Sequence, residues 1–385
     1  MRRLLPLALA VALPASLAAQ SSEFGTRGLG VPGREQSTRT LATGGSFGLF
    51  DPGSPLNPAA LTEVTLLTAA FTALQNFRIS KAPNARETGR DTRFPLLSVT
   101  GPVGRRPFAV GVSLSNYTDR DYSVATTSAL VLRGVPVTSF DTLTSRGGLN
   151  DIRLAGAWRA PGGWNLGAAF HVITGSARTD LRRGFSDTAY RFVRQQSEIS
   201  YAGTGVSLGV TRAFGPRLIF AAMARSDGHA NIDRDSTRVS QVGLPATIGA
   251  GLRWHPVARL DLAAQGIFRS WSAADAGLVA GGGTGAKNTM ELMLGGEYAS
   301  DVRRPYRRPL RFGVHYAQLP FPLVTGERPS ELGVALGSGL RFGQDRAGVD
   351  LSVEHVWRRE GAAYRESAWL FSLGVSVRPQ GPIGR

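Results

Sequence analysis

The 385-residue chain has no cysteine, which excludes a disulfide framework and any thiolate metal or redox site. Lysine is almost missing: the 44 basic residues include only Lys81 and Lys287. The formal charge of +16 is therefore carried by arginines, and these are scattered singly instead of forming a basic block. That pattern argues against nucleic acid as a partner. It suits lipid headgroups or anionic surface polysaccharide, with much of the arginine paired to Asp and Glu. Beyond the leader, no stretch of about twenty apolar residues occurs, so a helical membrane protein is excluded. No Pro/Ser linker or charge block divides the chain, which points to one architecture throughout.

At the start, "MRRLLPLALAVALPASLAAQ" places Arg2 and Arg3 before an apolar run from Leu4 to Leu13, then small residues at Ser16, Ala18 and Ala19. This is the layout of a secretory signal peptide, expected to span 1–19 with cleavage after Ala18 or Ala19. A retained interfacial helix is the rival reading.

The body of the chain has period two. In "NDIRLAGAWR" (150–159), Ile152, Leu154, Gly156 and Trp158 share one face, and Asp151, Arg153 and Arg159 share the other. Residues 310–317 set Leu310, Phe312, Val314 and Tyr316 against Arg311, Gly313 and His315, and 349–358 repeat the scheme. A soluble sandwich also alternates, so period alone does not choose. Length and connection asymmetry do. About fourteen spans, from 64–78 to 367–378, have the length of tilted transmembrane strands. "PVGRR", "APG", "GPR", "PVA" and "GQDR" make short links, whereas 118–148, 175–198, 227–243 and 271–287 make long polar ones. Brief turns on one side and long loops on the other are the threading of an outer-membrane barrel. Trp158, Trp164, Trp254, Trp357 and Trp369 fall at strand ends, where amphipathic rings prefer the headgroup level.

The expected fold is thus all-β: a transmembrane antiparallel barrel of about fourteen strands over 63–378, in the outer membrane of a Gram-negative-type bacterium. It is preceded by a segment at 20–62 and followed by a tail at 379–385. The tail "SLGVSVRPQGPIGR" lacks the terminal aromatic usual in outer-membrane strands, so assembly would rely on Trp369 and Phe371.

The segment "STRTLATGGSFGLFDPGSPLNPAAL" (37–61) is crowded with turn formers. Gly44 and Gly45 open backbone conformations closed to other residues, Asp51 can bond its own turn, and Pro58 holds Asn57 extended. Placed before the first strand, it can fold into the lumen as a compact hatch. It resembles the amino-terminal pattern of the FadL family of outer-membrane transporters and the related PorV-type proteins, at Arg39, Gly44, Gly45, Phe47, Asp51, Ser54, Asn57, Pro58, Ala59 and Leu61. Only "PL" separates Ser54 from Asn57, which is less than the family has and implies a shorter hatch. The bland reading is a periplasmic leader without a gating role.

The resemblance implies uptake of hydrophobic small molecules such as long-chain fatty acids. The compounds would be caught among external loops, held in an apolar pocket above the hatch, and released through an opening in the wall. In the PorV branch the same fold serves secreted-protein partners, so the fold leaves both readings open. Transport requires apolar residues in "SALVLRGVPV" (128–137) and "QLPFPLV" (318–324) to face one another. Partner binding requires a filled lumen and those loops turned outward.

"GGSFG" (44–48) and "GVSLG" (205–209) fit the nucleophile pattern of serine hydrolases, but neither sits at a strand-to-helix elbow. Gly205, Ser207 and Gly209 instead share the small inward face of a strand. "AGGGTGAKNT" (280–289) breaks the Gly-Lys pair of a phosphate loop and reads as an external loop. His171, His229, His255, His315 and His355 show no metal-ligand spacing, and no cofactor or enzymatic activity is expected. The inward charges Asp151, Arg153, Asp261, Glu291, Arg311, His315, Glu331, Arg341, Asp350 and Glu354 read first as an ion-pair network bracing barrel and hatch, since buried charges must pair. The alternative is a ligand site, with Arg311 or Arg341 meeting a carboxylate.

Overall fold

The computed structural model describes residues 22–379 except 83–84, 105–106, 235–236, 281–282, 284, 302, 304–306, 324–325 and 363. The expected signal peptide at 1–19, residues 20–21 and the tail from 380 lie outside them. The eighteen hydrogen-bonded pieces of one antiparallel sheet make fourteen wall strands. Three wall strands are broken in two, and one piece, Val31–Pro32, belongs to the N-terminal segment. The wall runs β1 (Thr68–Ala82), β2 (Ala85–Val103), β3 (Phe108–Asp119 and Tyr122–Leu132), β4 (Val135–Arg159), β5 (Trp164–Phe185) and β6 (Val193–Phe214). It continues with β7 (Leu218–Ser226 and His229–Arg234), β8 (Thr237–Gly243 and Thr247–Val257), β9 (Leu260–Arg269) and β10 (Thr289–Ala299). It ends with β11 (Pro309–Gln318), β12 (Ser330–Phe342), β13 (Ala347–Glu360) and β14 (Tyr364–Val377). β14 pairs with β1 from Val377↔Ala69 to Arg365↔Lys81. That pairing closes the cylinder, so no sheet edge meets lipid.

Side-chain direction shows which face meets the membrane. On β11, Leu310 is 56% and Phe312 38% exposed, while Arg311 between them is fully buried. An apolar outside around a charged inside inverts a soluble core and fits a wall in lipid. Trp158, Trp164 and Trp254 are exposed toward the short-turn end, and Trp357 and Trp369 toward the other.

The links 118–148, 175–198 and 227–243, expected as loops, are mostly strand. β3 and β4 run on as a hairpin to a turn at Arg133 and Gly134, both at positive φ. β5 and β6 extend likewise. Above the membrane both faces of such a ribbon meet water, so the apolar alternation that marks a strand fades although the pairing continues. The link 271–287 instead begins with short helical turns, Trp271–Ala274 and Asp275–Ala280.

One seam interrupts the wall. β2 and β3 pair only from Val103↔Phe108 to Leu96↔Ser115. Beyond that level β3 bulges between Asn116 and Thr118, and its freed edge is taken by Val31 and Pro32 of the N-terminal segment. β2 also bulges against β1 there, between Thr72 and Leu74, opposite Phe94 and Pro95. Proline has no N–H for the ladder, which favours a break in pairing at this point.

Candidate functional site

The N-terminal segment lies inside the barrel. It starts at the long-hairpin end, where Ser22 Oγ donates to Glu366 Oε2 at 2.7 Å. It ends at the short-turn end, where the Thr62 carbonyl accepts from Arg159 Nη2 at 2.6 Å. Its shape comes from local caps. Ser37 Oγ accepts from Thr40 N–H at 3.2 Å and starts a single helical turn, Thr38–Leu41. Asn57 Oδ1 accepts from Ala59 N–H at 3.0 Å and starts the 3₁₀ turn Pro58–Glu63, with proline at the first position, where its missing N–H costs nothing. Asn57 Nδ2 also donates to the Leu49 carbonyl at 2.9 Å. Asp51 accepts from Ser37 Oγ at 2.5 Å and Thr40 Oγ1 at 3.0 Å. Gly44 and Gly45 have φ of 62° and 91°, and Phe47 packs with Leu49, Phe50 and Leu56 against Ala221, Ala263 and Met293 of the wall.

The wall is carved to admit this segment. A Cβ on Gly209 would lie 1.9 Å from Asn57 Oδ1, and one on Gly167 would lie 2.4 Å from the Ala59 nitrogen. A Cβ on Gly313 would lie 2.0 Å from the Thr43 carbonyl oxygen. At Gly167 and Gly313 backbone meets backbone, and at Gly209 the Asn57 side chain fills the space, so none of the three has room for a side chain.

Three charged residues of the segment each join a network on the wall. Arg34 bonds Glu354 and, at 2.5 Å, Glu331, and His315 bridges the same two carboxylates at 2.9 and 3.1 Å. Arg358 extends this network from Glu331 to Glu366. Arg39 meets Glu297 at 3.0 Å, Arg311 links Glu297 to Asp350 at 2.7 Å each, and Arg341 reaches Asp350 at 2.8 Å. Glu35 lies 3.5 Å from Arg225, which binds Asp151 at 2.9 Å and Asp227 at 2.7 Å.

The structure thus brings most of the expected inward charges together. Asp261 pairs with Arg253 at 2.5 Å, and Glu291 pairs with Arg269. Arg311 and Arg341, the two considered for a carboxylate ligand, already hold carboxylates of the protein. Arg153 stands apart: it is 3% exposed and its Nε and Nη2 have no partner among the described residues. Opposite it on β3, Ser113 Oγ is also without one. The expected inward charges did not include Arg34, Glu35, Arg225, Glu297, Arg358 and Glu366, although the alternation over 349–358 already sets Arg358 on the face of Asp350 and Glu354. Alternation on β7, β10 and β14 could likewise have flagged Arg225, Glu297 and Glu366 as inward.

Asp151, His171 and Ser207 form a chain, with His171 Nδ1 2.8 Å from Asp151 and Nε2 2.9 Å from Ser207 Oγ. The order is that of a hydrolytic triad. All three are at most 2% exposed, and Ser207 lies on a continuous strand, so no carbonyl substrate reaches it in this arrangement. No cluster that could hold a metal ion occurs among the described residues.

At the level above the segment where an apolar pocket is expected, the described residues pack together. Leu29, Tyr117, Leu149, Ile173, Trp271 and Phe321 close that level as a packed layer. The cavities below it, about 70 and 30 Å³, are bordered by Arg34, Glu35, Glu331 and Arg225. Below the segment, a cavity of about 370 Å³ is bordered by Arg39, Asp51, Arg253, Arg341 and Phe50. The two apolar loops do not face one another. Val131 and Val135 sit exposed at a hairpin tip, whereas Leu319, Phe321 and Leu323 turn inward.

A family model described as BamG matches residues 15–239. No curated protein matches the chain. Among solved structures, a Pseudomonas aeruginosa FadL homologue superposes with a TM-score of 0.62 at 14% identity, over 90% of this chain and 99% of that one. The Ralstonia pickettii toluene transporter TbuX gives 0.60 at 15%, over 91% and 99%. The Pseudomonas putida toluene transporter TodX gives 0.57 at 15%, over 90% and 98%. At such identities the likeness is one of fold.

Proposed function

Because the chain belongs to the BamG family and folds as a FadL-type outer-membrane barrel, we propose that it passes hydrophobic small molecules, long-chain fatty acids among them, across the outer membrane. On this reading residues 22–62, which lie in the lumen, act as a hatch. The observation that carries the reading is the seam between β2 and β3. A lumen lined by ion pairs is a poor path for an apolar solute, which would shed no water there and would leave buried charges unpaired. A break in the wall offers another exit. The seam opens above the level of Leu97, which pairs with Phe71, and reaches toward Arg90, which pairs with Phe77. Across the seam from that stretch, the freed edge of β3 is held by Val31 and Pro32. Movement of the hatch would therefore uncover a sideways route as well as the lumen.

One observation favours a second reading, a barrel that binds a protein partner: the lumen is filled and the external hairpin carries Val131 and Val135 outward. A single experiment separates the two. A fluorescent long-chain fatty acid is titrated into detergent-purified protein, with unlabelled fatty acid and toluene as competitors, and the titration is repeated on a variant lacking residues 22–36. Competable binding that changes when the segment is removed supports transport. Absence of competable binding in both folded forms removes it and leaves partner binding.

A further inference from the structure

Two short external hairpins bring four cations into one row on the outside of the wall. Arg359 of β13 is opposite Arg365 of β14, Arg365 is opposite Lys81 of β1, and Lys81 is opposite Arg86 of β2. All four side chains are exposed. Like charges directly opposite one another weaken a sheet, and none of the four has an ion-pair partner among the described residues. The acids nearest in sequence pair with none of the four: Glu87 lies opposite the buried Ser80, and Glu366, which with Glu331 also borders the groove beneath the row, is engaged elsewhere. Glu366 is buried on the lumenal face and bound to Arg358 there, and Glu360 is buried on that face too. Elsewhere on the external hairpins, exposed arginines do face acids across the ladder: Arg183 binds Asp141 at 2.6 Å, and Arg178 binds Glu198 at 2.9 Å. Arginines also face each other at Arg182↔Arg194 and Arg146↔Arg178, but there Arg182 and Arg194 share Asp180 and Arg178 holds Glu198, so four cations in a row without an acid are peculiar to this part of the rim among the described residues.

What lies beneath the row gives it a chemistry. Trp357 and Ile79, two residues down β13 and β1, are 46% and 37% exposed on the same face. With Tyr316 and Leu332 they join the four cations around a groove of about 700 Å³. Two residues of strand are about 7 Å, so the cations stand just outside the aromatic level, where phosphates of a lipid leaflet lie. Cations above and apolar side chains below match an amphiphile with an anionic head.

We propose that this groove holds an outer-leaflet lipid with a phosphate-bearing headgroup, its phosphates on Arg359, Arg365, Lys81 and Arg86 and an acyl chain along Trp357, Tyr316 and Leu332. Bound phosphate supplies the missing counter-charge and ties the closing seam of the barrel, β13–β14–β1–β2, to the leaflet.

The test is native mass spectrometry of the detergent-purified full chain with bis-phosphorylated lipid A, its dephosphorylated form, and inorganic phosphate as competitor. Each basic residue near an anionic surface contributes about fivefold. Arg359→Gln/Arg365→Gln and Lys81→Gln/Arg86→Gln should each weaken binding of the phosphorylated lipid about 30-fold. The dephosphorylated lipid should not distinguish wild type from variants. Arg365→Gln alone, a single outward substitution, should give about fivefold and serves where a double variant folds poorly. Equal retention of both lipids by wild type, or unchanged binding in folded variants, overturns the proposal. So does displacement of the lipid by millimolar inorganic phosphate alone, because the groove is then a simple anion site.

Discussion

Replacing Arg34 by Met tests whether charge pairs hold the N-terminal segment in the lumen. Arg34 bonds Glu354 and Glu331, and its Nη2 also lies 3.2 Å from His315. Methionine keeps much of the length and removes the charge. Removing one partner of a buried pair costs about 3–5 kcal/mol, since the other charge is left buried without compensation. Here Glu331 keeps Arg358 and His315, and Glu354 keeps His315, so the lower limit, about 3 kcal/mol, applies. At 1.4 kcal/mol per tenfold, that loss raises the population with the segment unseated about 150-fold. The assay is amide hydrogen exchange on detergent-solubilised protein, read at Leu41, Gly45 and Phe50, whose N–H groups bond within the segment. Faster exchange there, with the β11 to β13 amides unchanged, is the expected outcome. Adding Glu354→Gln should restore part of the protection, because Glu354 is the carboxylate left with His315 alone, and His315 still keeps Glu331. Exchange within threefold of wild type in Arg34→Met would refute the electrostatic tether and leave shape fit as what holds the segment.

Gly209→Ala should unseat the turn at Asn57, since its Cβ would sit 1.9 Å from Asn57 Oδ1. The expected cost is about 1–3 kcal/mol, seen as faster exchange at Ala59 to Glu63. Burial, with Glu87 and Glu366 nearby, raises the Glu23 carboxyl to about 7 from its ordinary 4.5. An acid whose folded pKa is raised contributes stability that is full below its unfolded pKa and lost as pH rises through the folded one. Docking of residues 22–30 should therefore be tighter at pH 5 than at pH 8 in exchange corrected for intrinsic rates, with the difference abolished by Glu23→Gln. Ser207 should resist labelling by a fluorophosphonate in the folded barrel, since it is 2% exposed on a continuous strand. Stoichiometric labelling there would mean that the Asp151–His171–Ser207 chain is reachable.

The wall was legible because lipid outside and charge inside impose opposite demands on alternate residues. Leu310, Phe312, Val314 and Tyr316 had one place to go, and Arg311 and His315 another. The same logic explains where reading by period stops. From Tyr122 to Ser145, β3 and β4 still pair residue for residue, but from Ser123 to Pro136 no side chain is buried on either face and nothing forces an alternation. The networks were half legible. That Glu331 and Glu354 face inward follows from their strands, yet their partner Arg34 lies roughly three hundred residues away in sequence. No local pattern announces such a pairing. Arg153 shows the limit of the rule that buried charges pair, for its strand turns it inward and no carboxylate of the described residues comes within ion-pair distance.

The glycines carry the deeper correction. In "GVSLG" the pattern of a nucleophile motif comes from two unrelated demands. Gly209 is glycine because Asn57 presses against it, and a Cβ on Gly205 would lie 2.2 Å from Asp227 Oδ1. Ser207 between them answers His171. Wall and segment thus record each other: Gly167, Gly209 and Gly313 are spaced far apart in the chain, on β5, β6 and β11, yet Gly167 and Gly313 lie against the segment's backbone and Gly209 against its Asn57 side chain. A glycine at an inward position of a barrel strand, where a side chain would otherwise fill the lumen, points to another part of the chain pressed against it. By that argument the path of an internal segment can be read from the wall alone, and it is the glycines, with no partner in any hydrophobic pattern, that show it.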